Sequence, residues 1–252
     1  MDHRHLHDWA LTPEQAIAIQ KELRSQVRIE DDFGQINTIA GVDLSFGRED
    51  AIGHAIVVLV NNPQDSLLEG TASDSPMGVV EAQYATAPIP LPYIPGLLSF
   101  RESPIALKAF EKLETRPDVV MLDGQGIAHP RGFGIACHIG LLLDVPTIGV
   151  AKSFLYGDYD RSALGEEALS QVPMRDKRGN VIGAVLRTRR NGNPLFISPG
   201  HRMSVESATR LVIDSLRGYR LPEPTRLAHN MITEYKKGLE GTDTPAPKET
   251  GD

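Results

Sequence analysis

Cysteine is almost absent: one, Cys137, occurs in 252 residues. A lone thiol excludes an intramolecular disulfide and fits a reducing compartment. Its setting, GIACHIGLLL, marks it as a small buried hydrophobe rather than a nucleophile. Long apolar runs are missing too. No stretch approaches the ~18–20 residues of a membrane span, and the start MDHRHLHDW has no apolar core of a signal peptide. The expectation is a cytoplasmic protein that enters no membrane. Positive charge is short as well: 26 Lys and Arg against 33 Asp and Glu leave a net charge of −7. Bulk charge therefore does not drive tight, non-specific binding to nucleic acid. Contact with phosphates would need a local basic surface or help from metal ions.

What is present suffices for a sizeable core, at 40% hydrophobic residues. The length fits one large domain, and the motifs spread evenly enough to place it over residues 1–240. The tail from Gly241, GTDTPAPKETGD, lacks an apolar segment and reads as disordered. No internal repeat is visible. Thr12-Pro13-Glu14-Gln15 is a helix start with a capping-box pattern, followed by Ala16, Ile19, Leu23 and Val27 at helical spacing. Residues 36–45, 51–60 and 77–87 read as three sequential strands, an antiparallel meander, with a long turn-rich loop over 61–76. Pro104 predicts a helix start running to about Leu113. Residues 118–123, 133–143 and 147–151 then read as strand, helix and strand, a unit that demands a parallel pair. Asn191-Gly192 between 181–189 and 194–198 is a hairpin signal. Two helices are expected over 204–216 and 224–237.

Chemistry concentrates in one stretch, DVVMLDGQGIAHPRGFGIACHIGLLLDVPTIGVAKS, from Asp118 to Ser153. Asp123 ends a run that reads as a strand buried on both faces. A charge there must be compensated, either by Arg131 or Lys152 or by a divalent metal. Asp43 ends the apolar run INTIAGVD and is either a turn residue or a second ligand. Glu102 ends PLPYIPGLLSFRE and is either a helix N-terminal carboxylate or a third. Carboxylates in such settings, at the ends of sheet strands, suit hard divalent cations. His129 and Lys152 are candidates for phosphate contact, Lys152 alternatively a strand-end lysine in water. His201, in SPGHRMS, is structural or part of the site. Gln125 reads as a solvent-side turn residue. Pro92-Tyr93-Ile94-Pro95 is a stiff turn whose Tyr and Ile either pack inward or form a wedge. Arg175, Lys177, Arg178, Arg187, Arg189, Arg190 and Arg202 gather late in the chain, as a solvated face or as phosphate contacts.

AGVDLSFG, PYIPGLLSFRE, DGQGIAHPRGFGIACHIGLLLDVPTIGVAKS and NPLFISPGHRMS resemble, in order, the signature segments of endonuclease V, from about Gly41 to about Thr225. RLPEPTR resembles its bacterial members. The resemblance implies an RNase H-like α/β fold: a mixed sheet of three antiparallel strands plus a parallel βαβ part, flanked by helices. It implies a Mg²⁺-dependent endonuclease, with Mn²⁺ as substitute, acting on DNA that contains deoxyinosine or other deaminated bases. The cut falls at the second phosphodiester bond 3′ to the lesion, leaving 3′-hydroxyl and 5′-phosphate ends. By resemblance Asp43, Glu102 and Asp123 hold metal, with Lys152 and His201 completing the active site. The 92–95 segment supplies the wedge, and Gly96, Leu98 and Gly124 line the pocket of an extruded base, with His129 and Lys152 toward the phosphate. A monomer is expected. Two other readings stand beside this one: an endonuclease for inosine in single-stranded RNA, and a nucleic-acid-binding module that does not cut. An actin-like phosphotransferase would need a second Gly-rich phosphate loop, which is not seen.

Overall fold

Alternation along the strands divides the interior into two cores. β1, Thr38–Phe46, sends Ala40 and Val42 to one face and Ile39 to the other; β4, Val119–Leu122, likewise separates Val120 and Leu122 from Val119 and Met121. The structure, a computed structural model, describes residues 1–47, 51–62 and 76–241. Among these, β2 (Ile52–Asn61), β3 (Val79–Pro88), β5 (Thr147–Ala151), β6 (Gln171–Arg175), β7 (Val181–Leu186) and β8 (Leu195–His201) complete an eight-stranded sheet of order β3-β2-β1-β4-β5-β8-β7-β6. β1–β4 and β4–β5 pair in parallel, and every other pairing is antiparallel.

Helices α2 (Leu98–Phe110) and α3 (Ile135–Leu143) bury Ile105, Phe110, Ile139 and Leu142 against one face. Helices α4 (Val205–Asp214) and α5 (Glu223–Gly241) bury Leu211, Val212, Ala228 and Ile232 against the other. A third, smaller core under β6–β8 joins Val172, Met174, Val185 and Phe196. α1, Pro13–Leu23, carries the expected capping box, Thr12 accepting from the Gln15 N–H while the Gln15 side chain accepts from that of Thr12.

The meander, the parallel βαβ unit and the 181–198 hairpin stand where the sequence put them. Three details differ. β6 gave no sequence signal, because its exposed and buried positions mix charge and Pro173 with only two buried apolar residues. α5 begins at Glu223 and runs beyond the expected end. α2 starts six residues before Pro104, which sits inside it. Proline there removes one helical N–H, but Ser99–Ser103 are already buried, and that burial overrides the local break. Most of the 61–76 loop and the tail beyond residue 241 lie outside the described residues. Among the described residues no helix is long and apolar enough to cross a membrane.

Gly41 decides how closely α5 approaches the sheet. A Cβ there would stand 2.0 Å from the Pro224 carbonyl oxygen, a distance no atom pair tolerates. Gly41→Ala is expected to lower stability by ~1–3 kcal/mol through overpacking, read as a lower denaturant midpoint at unchanged slope. An undiminished midpoint would show that α5 does not rest on this residue.

Candidate active site

Strand register brings the first two carboxylates together. Val42 lies opposite Leu122 in the parallel β1–β4 pair, so Asp43 and Asp123, one residue on, leave neighbouring strand ends side by side. β5 runs parallel to β4 with Gly149 opposite Leu122, and Lys152 emerges from the same edge. This edge collects the carboxyl ends of all three parallel strands, where open α/β sheets place ligands. Glu102 arrives from α2. Leu98, Ser99 and Glu102 share one stripe of that helix and line, with Asp43, Asp123 and Lys152, a cavity of about 410 Å³.

The charges in this cavity are partly compensated. Lys152 Nζ lies 2.5 Å from Asp123 Oδ2. Asp43 Oδ1 accepts from the Leu44 N–H at 2.8 Å, and Oδ2 accepts from His229 Nδ1 at 2.7 Å. Burial and the Asp123 charge still hold the Asp43 carboxyl above its ordinary range, against Lys152 and His229. Glu102 is displaced further. Burial first, then the charges of Asp123 and Asp43, push its carboxyl up to about 8 despite Arg101. Among the described residues no three His, Cys, Asp or Glu side chains stand in a metal-coordinating arrangement; Asp123 and Asp43 turn toward Lys152 and His229 instead.

His229 was not foreseen. It lies in the middle of α5, 186 residues from Asp43, and no local pattern marks it. The one usable signal was Gly41, since a glycine inside a strand often marks a close backbone approach, although it does not say which helix approaches. His201, expected in the site, lies at the other end of the sheet. It pairs with Thr147, the first residue of β5, accepts from the Arg28 N–H at Nδ1 and faces Asp144 at 3.7 Å. Burial and the Arg28 charge push its imidazole down to about 4, so a neutral ring braces this edge. Arg202 is tied there too, to Asp32 and Asp144.

The 92–96 segment forms the outer wall. Pro92, Tyr93 and Pro95 are exposed, Tyr93 by 65%, while Ile94 packs inward toward Leu91, Leu97 and Phe100. The loop is fixed through one carbonyl. Gly96 O accepts from Arg131 Nη2 at 2.6 Å, from Gln20 Nε2 at 3.0 Å and from His129 Nε2 at 3.1 Å. Gly96 has φ +80, and a Cβ would stand 2.6 Å from Arg131 Nη2. His129 Nδ1 accepts from the Arg131 N–H. Burial and Arg131 push this imidazole down to about 4. His129 lines the cavity, but both ring nitrogens are engaged in holding the loop. Gly124 and Leu98 line the same cavity. Gln125 is buried rather than solvent-facing: its amide donates to Ser153 O. Several late basic residues serve the fold, Arg187 bonding Gly165 O and Arg190 pairing with Glu167. A larger groove, about 1030 Å³, lies between α4 and the β6–β7 ribbon. Its buried Asp214 is already paired with Arg210, so size alone does not mark the reactive site.

Glu102 carries a pH signature. Its folded carboxyl binds a proton far more tightly than its ordinary value near 4.5. Stability is therefore fully present below about 4.5 and lost as pH rises toward and through 8. Each tenfold change in proton affinity is worth ~1.4 kcal/mol, so the loss amounts to a few kcal/mol. In chelator, Glu102→Gln should melt at a higher temperature than the wild type at pH 8.5, and the gap should close at acid pH. A gap independent of pH would show that the Glu102 carboxyl is not held above its ordinary range.

The sequence pattern of the family described as Endonuclease V matches residues 21–230. An endonuclease V from Dehalococcoides mccartyi is 45% identical over 91% of this chain and 96% of its own length. The crystal structure of the Bacillus subtilis endonuclease V superposes with a TM-score of 0.84 at 29% identity, covering 96% of this chain and all of that one. The Ciona intestinalis endonuclease V, solved with a 24mer DNA containing an inosine followed by a ribo-adenosine, superposes with a TM-score of 0.76 at 24% identity, over 90% of this chain and 98% of that one. The mixed sheet with its flanking helices is the RNase H-like nuclease fold these proteins share. With its four signature segments gathered on the described frame, the chain belongs to the endonuclease V family of phosphodiester-hydrolysing nucleases.

Proposed function

We propose that the chain is a Mg²⁺-dependent endonuclease that recognises deoxyinosine in DNA and cuts the second phosphodiester bond on its 3′ side, leaving 3′-hydroxyl and 5′-phosphate ends. The observation that carries this reading is the single cavity joining three carboxylates and Lys152 to the exposed Tyr93 wall. The inosine-containing DNA bound by the Ciona relative supports the choice of lesion.

The donor set fits a hard divalent cation. Burial and the neighbouring Asp123 charge raise the proton affinity of Asp43 and, with Asp43, that of Glu102, a conflict that a cation resolves, and carboxylate oxygens are what Mg²⁺ prefers, with Mn²⁺ as substitute. Asp43, Asp123 and Glu102 would hold it. When bound, the cation supplies charge neutralisation at phosphorus and a more acidic water. The chain's own groups do the rest. Glu102 must lose its proton to join the set. Lys152, beside Asp123, turns its ammonium to the non-bridging oxygens of the scissile phosphate as charge builds there. His229 fixes the Asp43 carboxylate through Nδ1. Tyr93 fills the gap left in the stack, and the extruded base enters between Gly96, Leu98 and Gly124. Hypoxanthine carries a carbonyl where adenine has an amino group. A backbone N–H aimed at that position donates to the hypoxanthine carbonyl and is left unpaired opposite the adenine amino group, at ~1–3 kcal/mol.

A duplex with one deoxyinosine and an end label should give a single nick on the 3′ side with Mg²⁺ and none with chelator. Asp123→Ala should abolish the nick while melting near the wild-type temperature. Full activity in that folded variant would sink the assignment. Inosine in single-stranded RNA is the second substrate to run, because the Ciona ligand carries a ribonucleotide after the inosine; a faster rate on RNA would move the proposal to that polymer. Retention without any cut on either polymer would favour a binding module. Tyr93→Ala, at an exposed position, should leave melting unchanged and lower kcat/KM by roughly 10- to 100-fold, the range of one lost stacking contact. Unchanged kcat/KM would rule out the wedge.

A further inference from the structure

Tyr93 is not the only aromatic side chain that lines the cavity among the described residues. Phe154, two residues beyond Lys152, is 39% exposed and lines the cavity. Leu155 beside it is exposed as well and lines the same cavity, so the two form an apolar patch on the site. The Phe154 ring is not loose. Phe196 meets it edge-on, with centroids 5.6 Å apart at 61°, and Tyr159 packs at 5.8 Å and 59°. Phe196 and Tyr159 also touch each other at 6.0 Å. Beneath them lies the third small core, with Val185, Val172 and Met174. The Arg161 guanidinium covers Tyr159 at 5.4 Å. Two braced edges leave a ring oriented before any ligand arrives, so little freedom remains to be lost on contact.

We propose that Phe154 is a stacking platform for a nucleobase of the cut strand, one that lies outside the lesion pocket and next to the scissile phosphate. This rests on the nuclease reading of the cavity and names a contact on it. The neighbourhood selects the occupant. Lys152 places a phosphate beside Asp123, and the chain reaches Phe154 two residues later, so the base attached to a nucleotide flanking that phosphate faces the ring. Every base offers a π-face, so the contact is tolerant of sequence and independent of the lesion. Tyr93 and Phe154 thus have separate tasks in one cavity: Tyr93 replaces the base that has left, and Phe154 holds a base that has stayed. A chain of net charge −7 gains affinity for a polyanion here without adding charge.

The test is a cycle between protein and substrate. kcat/KM for nicking is measured with Mg²⁺ on a deoxyinosine strand and on strands carrying, in addition, one abasic nucleotide at each of the positions 3′ to the inosine in turn. On the intact strand Phe154→Ala should lower kcat/KM by roughly 10- to 100-fold, through KM, while Phe154→Trp retains it. At one abasic position the wild type and Phe154→Ala should become equal, because the base that stacks is missing; at the others the deficit should persist. An equal deficit on every strand, or none on any, overturns the platform. Failure of the wild type to nick any inosine strand overturns the nuclease reading, and the platform with it. Melting of Phe154→Ala within a degree or two of the wild type excludes a folding defect.

Discussion

Repulsion among three carboxylates in one low-dielectric cavity is the constraint to which the rest of the structure answers. Asp43, Asp123 and Glu102 are brought there by three separate elements, and burial together with the neighbouring charges holds the carboxyls of Asp43 and Glu102 above their ordinary range. The protein meets the conflict in three ways. Lys152 lends a full positive charge to Asp123, His229 donates a hydrogen bond to Asp43, and Glu102 keeps its proton up to about 8. Each is a reversible arrangement. A salt bridge can turn outward, a hydrogen bond can follow its carboxylate, and a proton can leave. A permanently buried ion pair would have been more stable in the free protein and useless for holding a cation.

The fold makes such proximity affordable through geometry rather than strong contacts. Parallel pairing aligns strand ends at one edge, so two aspartates need only follow their strands by one residue each. The helices then approach at glycines. Gly41 lets α5 lie against β1 closely enough for His229 to reach Asp43, and Gly96 lets one carbonyl collect three donors from α1 and from the turn after β4. Gln20 and Arg131 also bond each other. The outer wall is therefore locked to the same turn that carries Asp123. Displacing that turn would move Asp123 and the outer wall together.

Legibility from sequence followed locality. Asp43, Glu102, Asp123 and Lys152 each sit in a distinctive short string, and their roles rest on family resemblance as much as on pattern. The meander and the βαβ unit were legible because buried strands repeat apolar residues with a recognisable period. His201 and His229 show the limit. Both are histidines on regular elements late in the chain, and the one in the more distinctive string, SPGHRMS, turned out to brace the far edge of β5. What separates them is the tertiary position of α5, decided by packing across 186 residues and not by anything beside either histidine. Gln125 and Pro104 failed differently. A turn-like string and a helix-starting proline were overridden by burial that only the assembled fold supplies.

Chemistry and recognition draw on different physical resources in this cavity. The floor is electrostatic: carboxylates, an ammonium and an imidazole, all sensitive to protons and ions. The rest of the lining includes apolar side chains: Tyr93 and Pro95 from the outer loop, Phe154 and Leu155 from the segment after β5. A protein with a net charge of −7 cannot rely on counterion release to hold DNA, because that route scales with the number of phosphates met by Lys and Arg, and several of its arginines are committed to backbone carbonyls and internal carboxylates. On the proposed reading, stacking and base extrusion fill that gap. Both act over short range and only where the strand can be opened. Selectivity for a base whose pairing is already weakened then follows from the binding mode, since the energy needed to unstack it is least there. On the proposed reading, the negative net charge and the aromatic side chains form one solution, in which intact duplex is held poorly and a strand that yields is held well.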